Sequence, residues 1–359
     1  MTRIRVLVVE DSRTVRAHLC QVLGADADLE VVGEAEDGRR AIELCQKLRP
    51  DVVTMDMMLP VMTGLSATEY IMAHCPTPIL VVSASTNRGE LFRTYEALAA
   101  GAVDVLEKPR GDEPDGSWER NFVATIKLVA RIRVITHPRG RLGAMGMAAP
   151  AAPRLPPPAP VRPHPGCQVV AIGASTGGPA ALVVLLRALP AAFKLPVLVV
   201  QHIAEAFAAS LAEWLDGVTA RRVFYAREGD PVSSMAGRLV MAPPGRHMVV
   251  RDRRLHLTDG PERHSCKPSV DVLFESVAGE YGAGAAACLL TGMGRDGAAG
   301  LLAIRRAGGF TVAQDEESSV VYGMPREAAL LGAADRVLGL DDIGPVLLSV
   351  GLSDQERGA

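Results

Sequence analysis

The sequence predicts an α/β protein of two domains, each built on a parallel β-sheet. Short, continuously apolar segments alternate with amphipathic helical segments along most of the chain, which is typical of a parallel sheet with helices on both faces. A stretch rich in proline, alanine and glycine interrupts this alternation at residues 135–166, where it cannot bury a core. The 359 residues are enough for two domains of ordinary size.

The composition excludes several classes of function. A net charge of -3 and an aromatic content of 4% offer neither a basic surface nor a stacking platform, so we expect no nucleic-acid partner. The N-terminus does not resemble a signal peptide and no apolar run is long enough to cross a bilayer, which predicts a cytoplasmic protein without membrane insertion. The six cysteines are scattered without a Cys-x-x-Cys pair, a pattern that favours reduced thiols over disulfides or a zinc site.

The first domain is predicted over residues 1–134. A helix around Asn121–Val134 is expected to close it. Its five candidate strands are Arg5–Glu10, Glu30–Gly33, Asp51–Met55, Pro78–Val82 and Ala102–Leu106.

Polar residues lie at the ends of four of these five strands. Glu10 and Asp11 end the first strand and Asp56 ends the third, whereas Ser83 follows the fourth and Lys108 follows the fifth. Because the carboxyl ends of parallel strands form a ligand crevice, we expect these side chains to meet at one edge. Three clustered carboxylates repel one another unless a hard cation such as Mg²⁺ lies among them. Asp56 could then attack a phosphoryl donor, with Lys108 neutralising charge and Ser83 bonding the phosphoryl oxygen.

Each feature alone has a simpler explanation, since Glu-Asp after a strand is usually a helix N-cap and Lys-Pro is usually a turn. Together they resemble the response-regulator receiver family. The resemblance implies a five-stranded, flavodoxin-like parallel sheet, phosphorylation of Asp56 by a histidine kinase, and Mg²⁺ held by Glu10, Asp11 and Asp56. Val105 stands where this family commonly has a large aromatic residue that rotates on phosphorylation.

A second α/β domain is predicted over residues 167–353, after a Pro/Ala-rich linker at 135–166. Expected helices are Pro179–Leu189, Ser269–Ala278 and Ala298–Ala307, and a hairpin is expected at His247–Leu257. The candidate strands are Gln168–Gly173, Val197–Gln201, Val223–Ala226, Arg238–Ala242, Ala285–Leu290, Phe310–Ala313 and Asp335–Leu338.

Three strand ends of the second domain carry the residue types of a serine hydrolase. The segment 173–177 reads G-x-S-x-G and presents Ser175 on a turn between a strand and a helix. A base, His202, ends the next strand, and a carboxylate, Asp296, follows a later strand and its glycine turn. The backbone of the 292–294 turn could supply an oxyanion hole.

Other interpretations of these residues remain open. A glycine-rich turn at a helix start is often a phosphate or dinucleotide cradle, although the G-x-G-x-x-G spacing is absent. His202 could cap its strand, Asp296 could be the N-cap of the Ala298–Ala307 helix, and His247 is a rival base. The chain order Ser, His, Asp also differs from that of α/β-hydrolases, which argues against an ordinary lipase or esterase.

Six sequence blocks make the second domain similar to the protein-glutamate methylesterase domain of the chemotaxis CheB family. The blocks are IGASTGGP, VVQHI, MAPPGRHM, KPSVDVLFESVA, LLTGMGRDGAAGL and AQDEESSVVYGMPREA. The resemblance implies a doubly wound, mostly parallel α/β domain in which Ser175, His202 and Asp296 form a triad. It also implies that the Met293 N–H stabilises the oxyanion, that His202 Nε2 takes the serine proton, and that the esterase needs no cofactor.

The same resemblance implies an activity and its partners. The enzyme would demethylate glutamate γ-methyl esters, and deamidate specific glutamines, on methyl-accepting chemoreceptors during chemosensory adaptation. A CheA-type histidine kinase would supply the phosphoryl group that activates it. Two rival classes are a DNA-binding response regulator, for which the second domain lacks a basic helix-turn-helix and is too rich in strands, and a binding module without catalysis.

Overall fold

The structure is a computed structural model that describes residues 3–84, 87–109, 116–132, 134, 166–190, 192–208 and 210–351. The chain divides into two compact units near residue 151. Apart from Gly166, the predicted linker lies outside the described residues.

The first unit is a five-stranded parallel sheet, as the sequence predicts, and its strands lie in the order β2-β1-β3-β4-β5. Its strands are almost completely buried along β1, β3 and β4, because helices cover both faces. The strands are β1 (Ile4–Val9), β2 (Leu29–Ala35), β3 (Val52–Met55), β4 (Ile79–Ser83) and β5 (Asp104–Glu107).

Side-chain caps determine where several helices of this unit begin. Asp37, Thr63 and Asn87 each precede a helix in extended conformation and accept a hydrogen bond from a backbone N–H of its first turn. The last helix begins at Ser117, four residues before the predicted start. The helices are α1 (Arg13–Gly24), α2 (Gly38–Leu48), α3 (Gly64–His74), α4 (Arg88–Ala99) and α5 (Ser117–Val129).

The second unit is a seven-stranded, wholly parallel sheet with a separate antiparallel hairpin, β10–β11. The strand order is β14-β13-β12-β6-β7-β9-β8, so the chain winds outward in both directions from the β6–β12 pair. The strands are β6 (Val169–Ala174), β7 (Val197–Gln201), β8 (Val223–Tyr225), β9 (Leu239–Met241), β10 (His247–Arg251), β11 (Arg254–Thr258), β12 (Ala285–Leu289), β13 (Phe310–Gln314) and β14 (Arg336–Leu338).

The helices of the second unit include four that the sequence analysis did not specify, at 205–208, 211–218, 324–330 and 340–351. In full the helices are α6 (Gly178–Ala188), α7 (Glu205–Ala208), α8 (Leu211–Val218), α9 (Val270–Tyr281), α10 (Ala298–Arg306), α11 (Met324–Leu330) and α12 (Leu340–Gly351). Among the described residues, no helix combines the length and apolar character needed to cross a membrane.

The winding of the second sheet fixes where a site can form. The strand order reverses between β6 and β12, and in open α/β sheets the crevice beyond the carboxyl ends at such a reversal is where ligands bind. The loops that follow β6, β7 and β12 all open at this crevice.

Candidate active site

Ser175 is presented at the reversal point by a tight turn between β6 and α6. Gly177, with φ of +78°, caps α6, and a Cβ there would lie 2.6 Å from the Cβ of Val320. The Gly178 N–H donates to the Ser175 carbonyl at 2.7 Å, which closes the turn. Both glycines are required because the turn is left-handed and crowded.

His202 lies beside this turn because β6 and β7 are paired in parallel up to Ala174 and Gln201. The His202 N–H donates to the Ala174 carbonyl at 2.9 Å. The Gln201 side chain then links the two segments, since its Nε2 donates to the carbonyls of Ser175 (2.8 Å) and His202 (2.7 Å). The backbones of the nucleophile and the base are thereby held together.

Asp296 is 1% exposed, and its Oδ2 lies 3.0 Å from His202 Nε2. The contact is an ion pair rather than a well-aligned hydrogen bond, because no partner meets the hydrogen-bond geometry at Nε2. The carboxylate also accepts from Ser269 Oγ at 2.8 Å and from the N–H groups of Val270 at 2.7 Å and Asp271 at 3.1 Å.

These donors place Asp296 at the N-terminus of α9. The alternative that it is the N-cap of the next helix along the chain is wrong, since Gly297 holds that position. A buried carboxylate at a helix N-terminus meets unpaired N–H groups and the positive end of the helix dipole, both of which stabilise its charge.

The pKa of His202 is raised above its usual value, and the pKa of Asp296 is lowered below its usual value. Burial alone would lower the pKa of His202, but Asp296 and Cys266 outweigh it and raise the pKa to about 9. Burial alone would raise the pKa of Asp296, but His202, Ser269 and the Val270 N–H outweigh it and lower the pKa. The pair therefore favours an imidazolium beside a carboxylate, which is the charge state that develops when a base removes the proton of a serine.

The two nitrogens of His202 have different partners. Asp296 occupies Nε2, whereas Nδ1 lies 3.7 Å from Cys266 Sγ. The nitrogen that remains to accept the Ser175 proton is thus Nδ1, not the Nε2 expected from the resemblance, and the Cys266 thiol has to give up its hydrogen bond there. Among the described residues Ser175 Oγ makes no hydrogen bond to His202, so this bond has to form when substrate binds.

The Met293 N–H is suited to stabilise an oxyanion. It follows Gly292, where a Cβ would lie 2.7 Å from the Ser175 Cβ. Within the described segments it donates to no other group, whereas the Ser175 N–H already donates to the Thr291 carbonyl at 3.0 Å. A cavity of about 480 Å³ opens here, lined by Met293 and Asp296 among others.

His247, the rival base, has a structural role in the described fold. It is 2% exposed, its Nδ1 accepts the Ser269 N–H at 3.1 Å, and its Nε2 lies 3.0 Å from the Pro261 carbonyl. Because both ring nitrogens have backbone partners, His247 links β10 to the segment that leads into α9. We therefore favour His202 as the base.

The first unit brings Glu10, Asp56 and Lys108 together at the carboxyl edge of its sheet. Lys108 Nζ lies 2.8 Å from Glu10 Oε2 and 3.0 Å from Asp56 Oδ2. Burial, followed by the charge of Asp56, raises the pKa of Glu10 to about 7. Burial also raises the pKa of Asp56, and Lys108 offsets this only in part. The positive charge of Lys108 alone is therefore not enough to offset the burial of these two carboxylates.

The same carboxylates fit a divalent cation. Oxygens of Glu10, Asp11 and Asp56 lie within 4.8 Å of one another. Asp56 Oδ1 is buried without a hydrogen-bond partner, although buried carboxylate oxygens normally have one. An oxygen-only donor set of this kind suits Mg²⁺.

The Ser83 hydroxyl does not stand free at this edge. It is fully buried and donates to Glu90 Oε1 on α4 at 2.7 Å, with Thr94 Oγ1 3.4 Å away. This contact with Glu90, which joins the end of β4 to α4, was not predicted from the sequence. Val105, on the neighbouring strand, is 7% exposed.

Each of the two units matches a known protein family. The response regulator receiver domain family matches residues 6–114, and the CheB methylesterase family matches residues 170–347. A protein of Anaeromyxobacter dehalogenans named protein-glutamate methylesterase/protein-glutamine glutaminase 2 is 45% identical over 340 residues, which cover 95% of each chain. A protein of Myxococcus xanthus with the same name and the number 4 is 45% identical over 354 residues, 96% of each chain.

One solved structure, the Thermotoga maritima CheB methylesterase catalytic domain, is 34% identical with a TM-score of 0.49 and covers 51% of this chain and 98% of its own. The two curated relatives align with this chain over both units, and the two family matches occur in the order of the units. The chain therefore belongs to the family of protein-glutamate methylesterases/protein-glutamine glutaminases, in which a response regulator receiver domain precedes a CheB methylesterase domain.

Proposed function

We propose that Ser175, His202 and Asp296 hydrolyse γ-methyl esters of glutamate, and deamidate glutamine, in the cytoplasmic helices of methyl-accepting chemoreceptors. The observation that carries this proposal is the 3.0 Å contact of buried Asp296 with His202, beside the turn that presents Ser175. The substrate class is inferred from the names of the curated relatives.

The contacts of Ser175, His202 and Asp296 assign a role to each residue in ester hydrolysis. Ser175 Oγ attacks the ester carbonyl while His202 Nδ1 takes its proton, and Asp296 stabilises the imidazolium through Nε2. The Met293 N–H donates to the tetrahedral oxyanion. When the intermediate collapses, His202 returns the proton to methanol, or to ammonia from a glutamine. Water then hydrolyses the acyl-enzyme by the same route and leaves a glutamate carboxylate.

The first unit provides the control of this activity. We propose that Asp56 accepts a phosphoryl group from a CheA-type histidine kinase, with Mg²⁺ held by Glu10, Asp11 and Asp56. The ion, when bound, would neutralise the charge of the carboxylates and of the phosphoryl oxygens. Lys108 pairs with Asp56 and Glu10 and would contribute the second positive charge. Ser83 would have to leave Glu90 to bond the phosphoryl oxygen.

We place the domain boundaries at 1–134 for the receiver, 135–166 for the linker and 167–353 for the methylesterase domain. The family matches at 6–114 and 170–347 lie inside these limits, and the division between the compact units falls within the linker.

The test is methanol release from methylated receptor, with and without acetyl phosphate as a small phosphodonor. We expect release to require Ser175 and to increase with the phosphodonor. Ser175→Ala removes one oxygen from a turn, so it should fold and lose about 10⁴-fold or more in kcat. If the purified variant kept a tenth of the wild-type rate, Ser175 would not be the nucleophile. A fluorophosphonate probe would separate an active serine from a binding module without catalysis.

A further inference from the structure

Cys266 is the one thiol of the described residues in contact with His202. Its Sγ lies 3.7 Å from His202 Nδ1 and 3.4 Å from the His264 carbonyl. Cys266 is half-buried and lines the 480 Å³ cavity together with Asp296, so a small solute can reach it. The mechanism proposed above leaves this thiol unused.

The geometry of the pair matches that of two zinc ligands. Zinc binds thiolate sulfur at about 2.3 Å and imidazole nitrogen at about 2.0–2.1 Å, so tetrahedral coordination places the two atoms about 3.6 Å apart. The observed 3.7 Å between Cys266 Sγ and His202 Nδ1 agrees with this distance. The two groups therefore need little movement to share one ion.

Asp296 completes the arrangement from the other side of the ring. A histidine that binds zinc usually donates its second N–H to a carboxylate, which orients the ring and makes it a better ligand. Asp296 Oδ2 lies 3.0 Å from His202 Nε2, near enough to take this role once the ring turns to align the N–H. The contact with Asp296 that makes His202 a better base therefore also makes its Nδ1 a better metal ligand.

The neighbouring group of His264 and Asp271 lacks these properties. His264 Nε2 lies 3.2 Å from Asp271 Oδ2, and its Nδ1 accepts a hydrogen bond from Arg295 Nε at 3.2 Å. Arg263 lies 3.6 Å from Asp271 as well. Both nitrogens of His264 already have a partner other than a thiol, so the Cys266–His202 pair is the better place for an ion in this cavity.

We propose that Cys266 Sγ and His202 Nδ1 form an inhibitory site for Zn²⁺ or a similar thiophilic divalent cation, with water in the remaining positions. Binding displaces the thiol proton and occupies the lone pair that must accept the Ser175 proton, so the bound enzyme cannot start the reaction. Removal of the ion restores activity, because no covalent bond has changed. This inference deepens the proposed function and rests on His202 being its base.

The first test is inhibition of ester cleavage by ZnCl₂, with each variant normalised to its own metal-free rate. Wild type should be inhibited and recover on addition of EDTA. Cys266→Ser should need at least about tenfold more zinc, because a hydroxyl replaces the thiolate. Cys266→His should remain sensitive, since an imidazole is also a zinc ligand. Cys167→Ser is the matched control, because Cys167 is a half-buried thiol of the same unit whose Sγ donates to the Val169 carbonyl.

The second test detects the site without catalysis. Co²⁺ added to Ser175→Ala protein should produce a thiolate-to-cobalt charge-transfer band that saturates at one equivalent and is absent after a further Cys266→Ser change. Cobalt at the carboxylates of the first unit gives no such band, because its ligands there are oxygens. Absence of the band, or equal zinc sensitivity of Cys266→Ser and wild type, would overturn the proposal. Residual hydrolysis by Ser175→Ala would instead refute the proposed function and leave the cobalt result intact.

Discussion

Replacing Asp296 by asparagine should damage both the reaction and the fold, and the structure gives the size of each effect. The carboxylate receives four contacts, two at each oxygen: Ser269 and Asp271 at Oδ1, and Val270 and His202 at Oδ2. An amide has one oxygen and one NH₂ group. Whichever way it is oriented, the NH₂ group faces a buried backbone N–H of α9.

The cost in stability is the sum of two effects. A buried N–H without an acceptor costs about 1–3 kcal/mol. Loss of a negative charge at a helix N-terminus costs about 0.3–1 kcal/mol more. Asp296→Asn should therefore lower the free energy of unfolding of the second unit by about 1–4 kcal/mol. The rate should fall by about 10⁴-fold, as for the corresponding change in serine proteases, since the amide can stabilise the wrong imidazole tautomer.

The two tryptophans allow the stability change to be assigned to one unit. Trp118 lies on α5 and Trp214 on α8, so in a Trp118→Phe background the tryptophan fluorescence, excited at a wavelength that tyrosine does not absorb, comes from the second unit alone. Urea unfolding followed in this background should show a lower midpoint for Asp296→Asn and an unchanged midpoint for Ser175→Ala. If Asp296→Asn lost its activity but stayed within about 0.5 kcal/mol of the parent, the capping role deduced for Asp296 would be wrong.

The remaining predictions concern the base, its pKa and the receiver. His202→Ala should be almost inactive, whereas His247→Ala should keep its chemistry and lose stability, as comparison of kcat with the unfolding midpoint would show; the reverse result would exchange the two roles. Because the base must be neutral and the pKa of His202 is raised to about 9, kcat/KM should increase with pH up to about that value, and a rate that is constant between pH 7 and 9 would contradict this. Asp56→Asn should abolish activation by acetyl phosphate and leave the basal rate unchanged; phosphorylation that persists in this variant, or in EDTA, would argue against metal-assisted transfer to Asp56.

The sheet and the order of the site residues could be predicted because parallel strands carry their own signal. Buried strands appear as apolar runs, and their carboxyl ends lie at one edge, which places Ser175 and His202 side by side without further information. Asp296 was inferred in the same way, from its place after a later apolar strand and a glycine turn. These predictions depend only on short segments and on a general property of parallel sheets.

The contacts that could not be predicted join segments that are distant in sequence through loops. Cys266 reaches His202 from a loop 64 residues further along the chain, and nothing in the spacing of the cysteines indicates this. Asp296 caps α9, which lies before it in sequence, because the turn after β12 folds back over the start of that helix. The nitrogen of His202 that meets Asp296 depends on the orientation of the ring, which packing determines.

The Gln201 side chain has a consequence for the speed of the reaction. Its Nε2 bonds the carbonyls of both Ser175 and His202, so the main chains of these two residues cannot separate without breaking a buried hydrogen bond. The missing bond between Ser175 and His202 must then be made by rotation of side-chain torsions alone. Rotamer changes of exposed side chains take picoseconds to nanoseconds, whereas closure of a loop over a substrate takes microseconds to milliseconds. We therefore expect the alignment of nucleophile and base to be faster than turnover, which the chemistry itself or the binding and release of the protein substrate should limit.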